Sequence, residues 1–188
     1  MRPGPVAGAV FALSVLALTT CSESPSELDP PEATTIQLSA VVLEVDDGAS
    51  ATLAATVLDQ YGEPMPDATV AWASANPGIA SVAAGTVTGV YPGETTVEAT
   101  AGDASAAATV TVVRVPTSMA LVSGAEQAGT VGEPLADSIG VLLLDRHDEP
   151  VGGVDVAFSV VSGGGALGAA IVATGTYGTA ATTWTLGT

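Results

Sequence analysis

Few side chains in this chain of 188 residues are of a type that does chemistry. His147 is the sole histidine and Cys21 the sole cysteine. A histidine acts as a base only when partners orient it and relay its proton. No nucleophile–base constellation surrounds His147 in the sequence, and the serines have no base to activate them. His147 reads as a solvent-exposed turn residue. No enzymatic activity and no cofactor are expected.

Carboxylates offer a second chemistry. Asp145, Asp148 and Glu149 fall in one turn, and Asp46 with Asp47, and Asp59 with Glu63 and Asp67, are the counterparts earlier in the chain. Calcium takes six to eight oxygens from flexible loops. Each cluster supplies two or three carboxylates and lacks an Asp-x-Asp-x-Asp-Gly loop. They read as solvated acidic turns, with Asp145, Asp148 and Glu149 as the calcium candidates should a metal bind. Aromatic platforms for sugars are a third chemistry. Trp72 and Phe158 are expected in the core, as is Trp184, which alternates with Thr182 and Leu186. Tyr61, Tyr91 and Tyr177 lie near turns, and the last two are expected to pack as corner residues.

The composition narrows the partners. All three basic residues are arginines, against twenty acidic residues, for a formal net charge of -17. Nucleic acid is excluded as a partner, because its phosphates need Lys or Arg to release counterions. Basic docking on anionic lipid is excluded for the same reason. The chain begins with Arg2, an uncharged apolar stretch from Val6 to Leu18, and then Leu18-Thr19-Thr20-Cys21. A charged start and an apolar run too short to span a bilayer describe a secretory signal. With Leu18 three residues before Cys21, the segment resembles the lipobox of bacterial lipoproteins, although Thr20 stands where Gly, Ala or Ser is usual. The resemblance implies a signal peptide over 1–21, lipidation of Cys21 and a membrane anchor. The mature chain is expected to be exported and to face the cell surface or periplasm. Residues 22–35, rich in Pro, Ser and acid, are expected to be a disordered tether.

Beyond the tether the elements are strands. Val/Thr alternation and Gly/Pro turns recur, and helix-period segments are scarce. Leu58-Asp59-Gln60-Tyr61-Gly62-Glu63-Pro64 realigns without a gap on Leu144-Asp145-Arg146-His147-Asp148-Glu149-Pro150, an offset of 86 residues that also matches Trp72 to Phe158. That period is about the length of one small β-sandwich. Two tandem immunoglobulin-like sandwiches are predicted, over 36–113 and 119–188, with a linker at 114–118 stiffened by Pro116. In the first, strands are predicted at 41–45, 51–58, 69–74, 79–82, 86–90, 95–100 and 106–113.

Trp72-Ala73-Ser74-Ala75-Asn76-Pro77-Gly78-Ile79, Gly85-Thr86-Val87-Thr88-Gly89 and Pro92-Gly93-Glu94-Thr95 resemble the bacterial immunoglobulin-like group 2 domain. Leu142-Leu143-Leu144-Asp145, Val154-Asp155-Val156-Ala157-Phe158 and Gly163-Gly164-Gly165 resemble the group 1 domain of invasin and intimin adhesins. These resemblances imply a non-catalytic stalk, adhesion or display module, with a protein or glycan ligand left open at turns or an edge strand. An accessory or carbohydrate-binding spacer of a larger secreted enzyme or surface protein is the alternative. In register, the closing strand of the first domain maps past residue 188. The second domain is therefore expected to lack its last strand, which residues beyond 188 or strand addition would supply.

Overall fold

A computed structural model describes residues 29–187, and the lipobox segment with Cys21 lies outside the described residues. The first sandwich is built from β1 (Ala33–Leu38), β2 (Val42–Asp46), β3 (Ser50–Thr52), β4 (Ala55–Asp59), β5 (Ala71–Ser74), β6 (Ala80–Ala83), β7 (Thr86–Gly89), β8 (Gly93–Ala101) and β9 (Ala104–Val113). The second has β10 (Ser118–Ser123), β11 (Ile139–Leu144), β12 (Asp155–Ala157), β13 (Gly165–Leu167), β14 (Ile171–Ala173), β15 (Thr179–Thr182) and β16 (Trp184–Leu186). The protein is all-β, as the alternation of the sequence predicts.

Period-two burial explains the longest strands. Along β8 the side chains of Thr95, Val97, Ala99 and Ala101 are buried, and along β9 those of Ala104, Ala108, Val110 and Val112. The residues between them are mostly Thr, Glu and Ser, which keep the other face in water. These strands form the centre of a sheet ordered β2-β9-β8-β5. β8 and β9 make an antiparallel hairpin, whereas β2 runs parallel to β9 from Val42 opposite Thr109 to Asp46 opposite Val113. β1 pairs with β4, and β3, β7 and β6 form a further sheet.

Two differences from the sequence reading have local causes. The strand predicted over 51–58 is two strands, because Leu53 donates to the Gly85 carbonyl and Ala54 to the Ser39 hydroxyl. These bonds divert the chain between sheets, so β3 pairs with β7 and β4 with β1. The ordered structure also starts earlier than 36: β1 begins at Ala33, inside the stretch read as tether, and the Glu32 amide donates to Gln60 Oε1 at 2.7 Å.

The core of the first sandwich is two clusters. One gathers Val45, Leu53, Val87, Val97, Val110 and Val112; the other Ile36, Val57, Ala99, Ala101 and Ala104. Trp72 is half-buried and packs against both. Gly85, at φ +78°, lies beneath its ring, where a Cβ would come 2.7 Å from the Leu53 carbonyl. Only glycine accommodates that turn and that approach together. The second sandwich has a smaller core of Val141, Leu143, Val151, Val156 and Ala180, against which Phe158 packs half-buried. Trp184 is also half-buried, on an open groove that Phe158 borders.

Candidate functional site

The repeated turn is the same device in both copies. Asp59 Oδ1 accepts from the backbone N–H groups of Tyr61 and Glu63, each at 2.9 Å. Asp145 Oδ1 accepts from those of His147 and Glu149, at 2.8 and 2.9 Å. In each copy the aspartate N–H also donates to the glutamate carbonyl, and a bridge joins Leu58 to Pro64 or Leu144 to Pro150. The residue at positive φ is Gly62 in the first copy and Asp148 in the second. A short acceptor two and four residues before the amides it receives is the chemistry of an Asx turn. Both aspartates are therefore buried for structural reasons.

The copies differ in what the turn presents. Gln60-Tyr61 is replaced by Arg146-His147, and these two side chains reach the first sandwich. His147 Nε2 lies 2.8 Å from Asp47 Oδ2 and Arg146 Nε 3.3 Å from Asp47 Oδ1. Arg146 also donates to the Val90 carbonyl at 3.2 Å, and the His147 ring tilts against Tyr91 with centroids 4.8 Å apart. Arg114, one residue past β9, sets its guanidinium 3.1 Å from Asp145 Oδ2. Both Asp47 oxygens and Asp145 Oδ2 are buried and have no hydrogen-bond partner beyond these cations. A buried carboxylate without a cation would be strongly unfavourable, so the contacts determine one another. Gly48, at φ +85°, leaves the space above the β2–β3 turn that the Arg146 guanidinium fills.

Burial alone would raise the pKa of Asp145. The Glu149 and His147 amides, with the charges of Arg114 and His147, outweigh it and hold the carboxyl below its ordinary value.

The other sequence candidates fall apart. Asp145 is 2% exposed and fully engaged, whereas Asp148 and Glu149 are exposed. Among the described residues no group of three His, Cys, Asp or Glu side chains could hold a metal ion. Trp72 and Phe158 occupy matching core positions in their sandwiches. His147 corrects the sequence reading, since it is half-buried between the sandwiches. Tyr91 and Tyr177 are exposed, so neither is the buried corner residue expected. Asp47, read from the sequence as part of a solvated acidic turn, is buried here, and Arg114 and Arg146 escaped the sequence reading, yet a signal existed. In a lysine-free chain, both described arginines and the one histidine sit at this junction.

The strand arrangement defines an all-β protein of immunoglobulin-like sandwiches joined by a polar junction. Residues 32–112 match the family model of the bacterial Ig-like domain (group 2). The fold is similar to that of the Escherichia coli adhesin FdeC, at 19% identity over 85% of this chain and 57% of that one, with a TM-score of 0.56. Domains 4 and 5 of the S-layer protein SbsC are 29% identical over 45% of this chain and 54% of that one, with a TM-score of 0.41. The D00–D0 domain of intimin is 15% identical over 82% of this chain and 86% of that one, with a TM-score of 0.37. The chain thus spans about half the length of that S-layer structure. No curated protein sequence matches it.

Proposed function

We propose that the chain is a non-catalytic stalk or display segment of an exported bacterial surface protein, anchored to a membrane by lipid on Cys21. Its first immunoglobulin-like domain ends near residue 113. The second, of the invasin and intimin group 1 type, starts near 119. The junction holds the two at a fixed angle, and a stalk needs such stiffness to keep a distal ligand site away from the membrane. A protein or glycan partner would meet turns or an edge strand, and no nucleic acid is involved.

The observation that carries this reading is the placement of the described cations. In a chain of net charge -17 they could neutralise acid anywhere, yet all lie where the sandwiches meet. Exposed ion pairs contribute little to stability, and pairs on buried carboxylates contribute geometry.

Spin labels on Thr88 and Thr179, with distances measured between them in the full chain, test the stiffness. The double substitution Arg146→Ser, His147→Ser is expected to broaden a narrow distribution while leaving the circular dichroism spectrum unchanged. An equally narrow distribution in the variant would remove the junction as the stiffening element. Anchoring is tested by fatty-acid labelling of cells that make the protein with Cys21 or with Cys21→Ser. Label is expected only with Cys21, and equal label in both would refute the anchor.

A further inference from the structure

The repeated turn carries Gln60-Tyr61 in the first sandwich and Arg146-His147 in the second, so only the second copy brings a histidine. Histidine is the side-chain type whose charge changes between about pH 5 and 8. His147 is the sole one in the chain, and its Nε2 sits 2.8 Å from Asp47 Oδ2 of the other sandwich, a carboxylate 1% exposed. Oδ2 has no other partner, and Oδ1 has only Arg146. Arg146 Nε is 3.3 Å from Asp47 Oδ1 and also 3.3 Å from His147 Nε2. One guanidinium N–H thus lies between two acceptors, and the protonation of the imidazole decides which of them it serves.

With Nε2 bare, the imidazole accepts from Arg146 and turns a lone pair toward Asp47. Two acceptors 2.8 Å apart with no hydrogen between them repel, so this contact has to part. With both ring nitrogens protonated, Nε2 donates to Oδ2 and Arg146 Nε is released to Oδ1. Each buried oxygen then has one charged donor, and such bonds are about twice as strong as neutral ones. Arg146 opposes a second positive charge, but its side chain is 42% exposed and screened, whereas Asp47 is buried. The other charged groups around the ring are committed elsewhere or in solvent. On its own turn, Asp145 accepts the His147 backbone N–H and pairs with Arg114, while Asp148 and Glu149 are exposed. From the first sandwich, the Tyr91 ring tilts against the imidazole, the Val90 carbonyl accepts from Arg146, and Asp46 beside Asp47 is exposed.

We propose that the junction is a proton-operated latch. Uptake of one proton by His147 locks the two sandwiches together through Asp47, and its loss frees them to reorient about the 114–118 connection. The latch rests on the stiff junction proposed above and adds its control. A contact made only by the charged ring is favoured as pH falls, so the locked fraction rises from about pH 8 to about pH 5. An exported stalk built this way stands stiff in acid surroundings and bends in alkaline ones.

The spin-label pair on Thr88 and Thr179 in the full chain reads the latch at about pH 5 and about pH 8, the ends of the histidine range. The distance distribution is expected to be narrow at the lower pH and broad at the higher. The locked fraction should change by about tenfold, the scale of one charge-assisted hydrogen bond. Nuclear magnetic resonance follows the single imidazole in the same samples, and the two transitions are expected to share a midpoint. His147→Gln keeps a hydrogen-bonding side chain without the titration, and is expected to give one width at both pH values with an unchanged circular dichroism spectrum. A distribution narrow at both pH values in the wild type would overturn the latch and leave the stiff junction standing. One broad at both would overturn latch and stiff junction together. Separate midpoints, or an equal pH response in His147→Gln, would assign the change to another group and overturn the latch alone.

Discussion

Asp145→Ala is expected to lower the unfolding free energy of the second sandwich by about 2–4 kcal/mol, read from urea denaturation. Two backbone N–H groups lose a charged acceptor at 2.8 and 2.9 Å, and the turn that closes β11 loses its organiser. The Arg114 pair adds little to this sum, because that guanidinium is 29% exposed and partly screened. Asp145→Asn retains an acceptor oxygen and is expected to lose about half as much. The sign of the pH dependence follows from the depressed pKa. The stabilisation is fully present above the ordinary value of 3.8 and is lost as pH falls through the lower folded value. Wild type and Asp145→Ala should therefore converge only in strong acid. A constant gap down to the lowest accessible pH, or equal midpoints at neutral pH, would contradict this account of the turn.

Trp72→Ala is expected to destabilise the first sandwich by about 3–5 kcal/mol. The indole packs against both hydrophobic clusters, so its loss opens a cavity that neither cluster can close alone. The repeat mate offers an internal control. Phe158 touches the single smaller cluster of the second sandwich and borders an open groove, so Phe158→Ala should cost about half as much. Separate denaturation transitions for the two sandwiches would show this directly. Equal losses would mean that the second core is packed more tightly than the open groove suggests.

Much of the fold was legible because alternation and turn residues agree. The 86-residue register placed Trp72 opposite Phe158 and identified the Asp59 and Asp145 turns as one device. Three features were beyond its reach. β1 starts in a run of Ala and Thr that follows prolines and glutamate, and composition alone gives no reason for it to pair with β4. The division of 51–58 depends on the Gly85 carbonyl and the Ser39 hydroxyl, both distant in sequence. The junction is not legible in the sequence because a lone histidine in a turn suggests a catalyst or a surface residue, whereas its partner Asp47 lies 100 positions away. Burial of Asp47 is a tertiary fact: its position in a Val-Asp-Asp-Gly turn reads as a solvated hairpin. The excess of acid over base bears on partners in the sequence, whereas the rarity of cations is what makes their positions informative.

The parallel pairing of β2 with β9 has a mechanical consequence. A pull on the two ends of the first sandwich drags these neighbours past each other in opposite directions. Their five residue pairs, from Val42 opposite Thr109 to Asp46 opposite Val113, then resist together in shear instead of parting one after another.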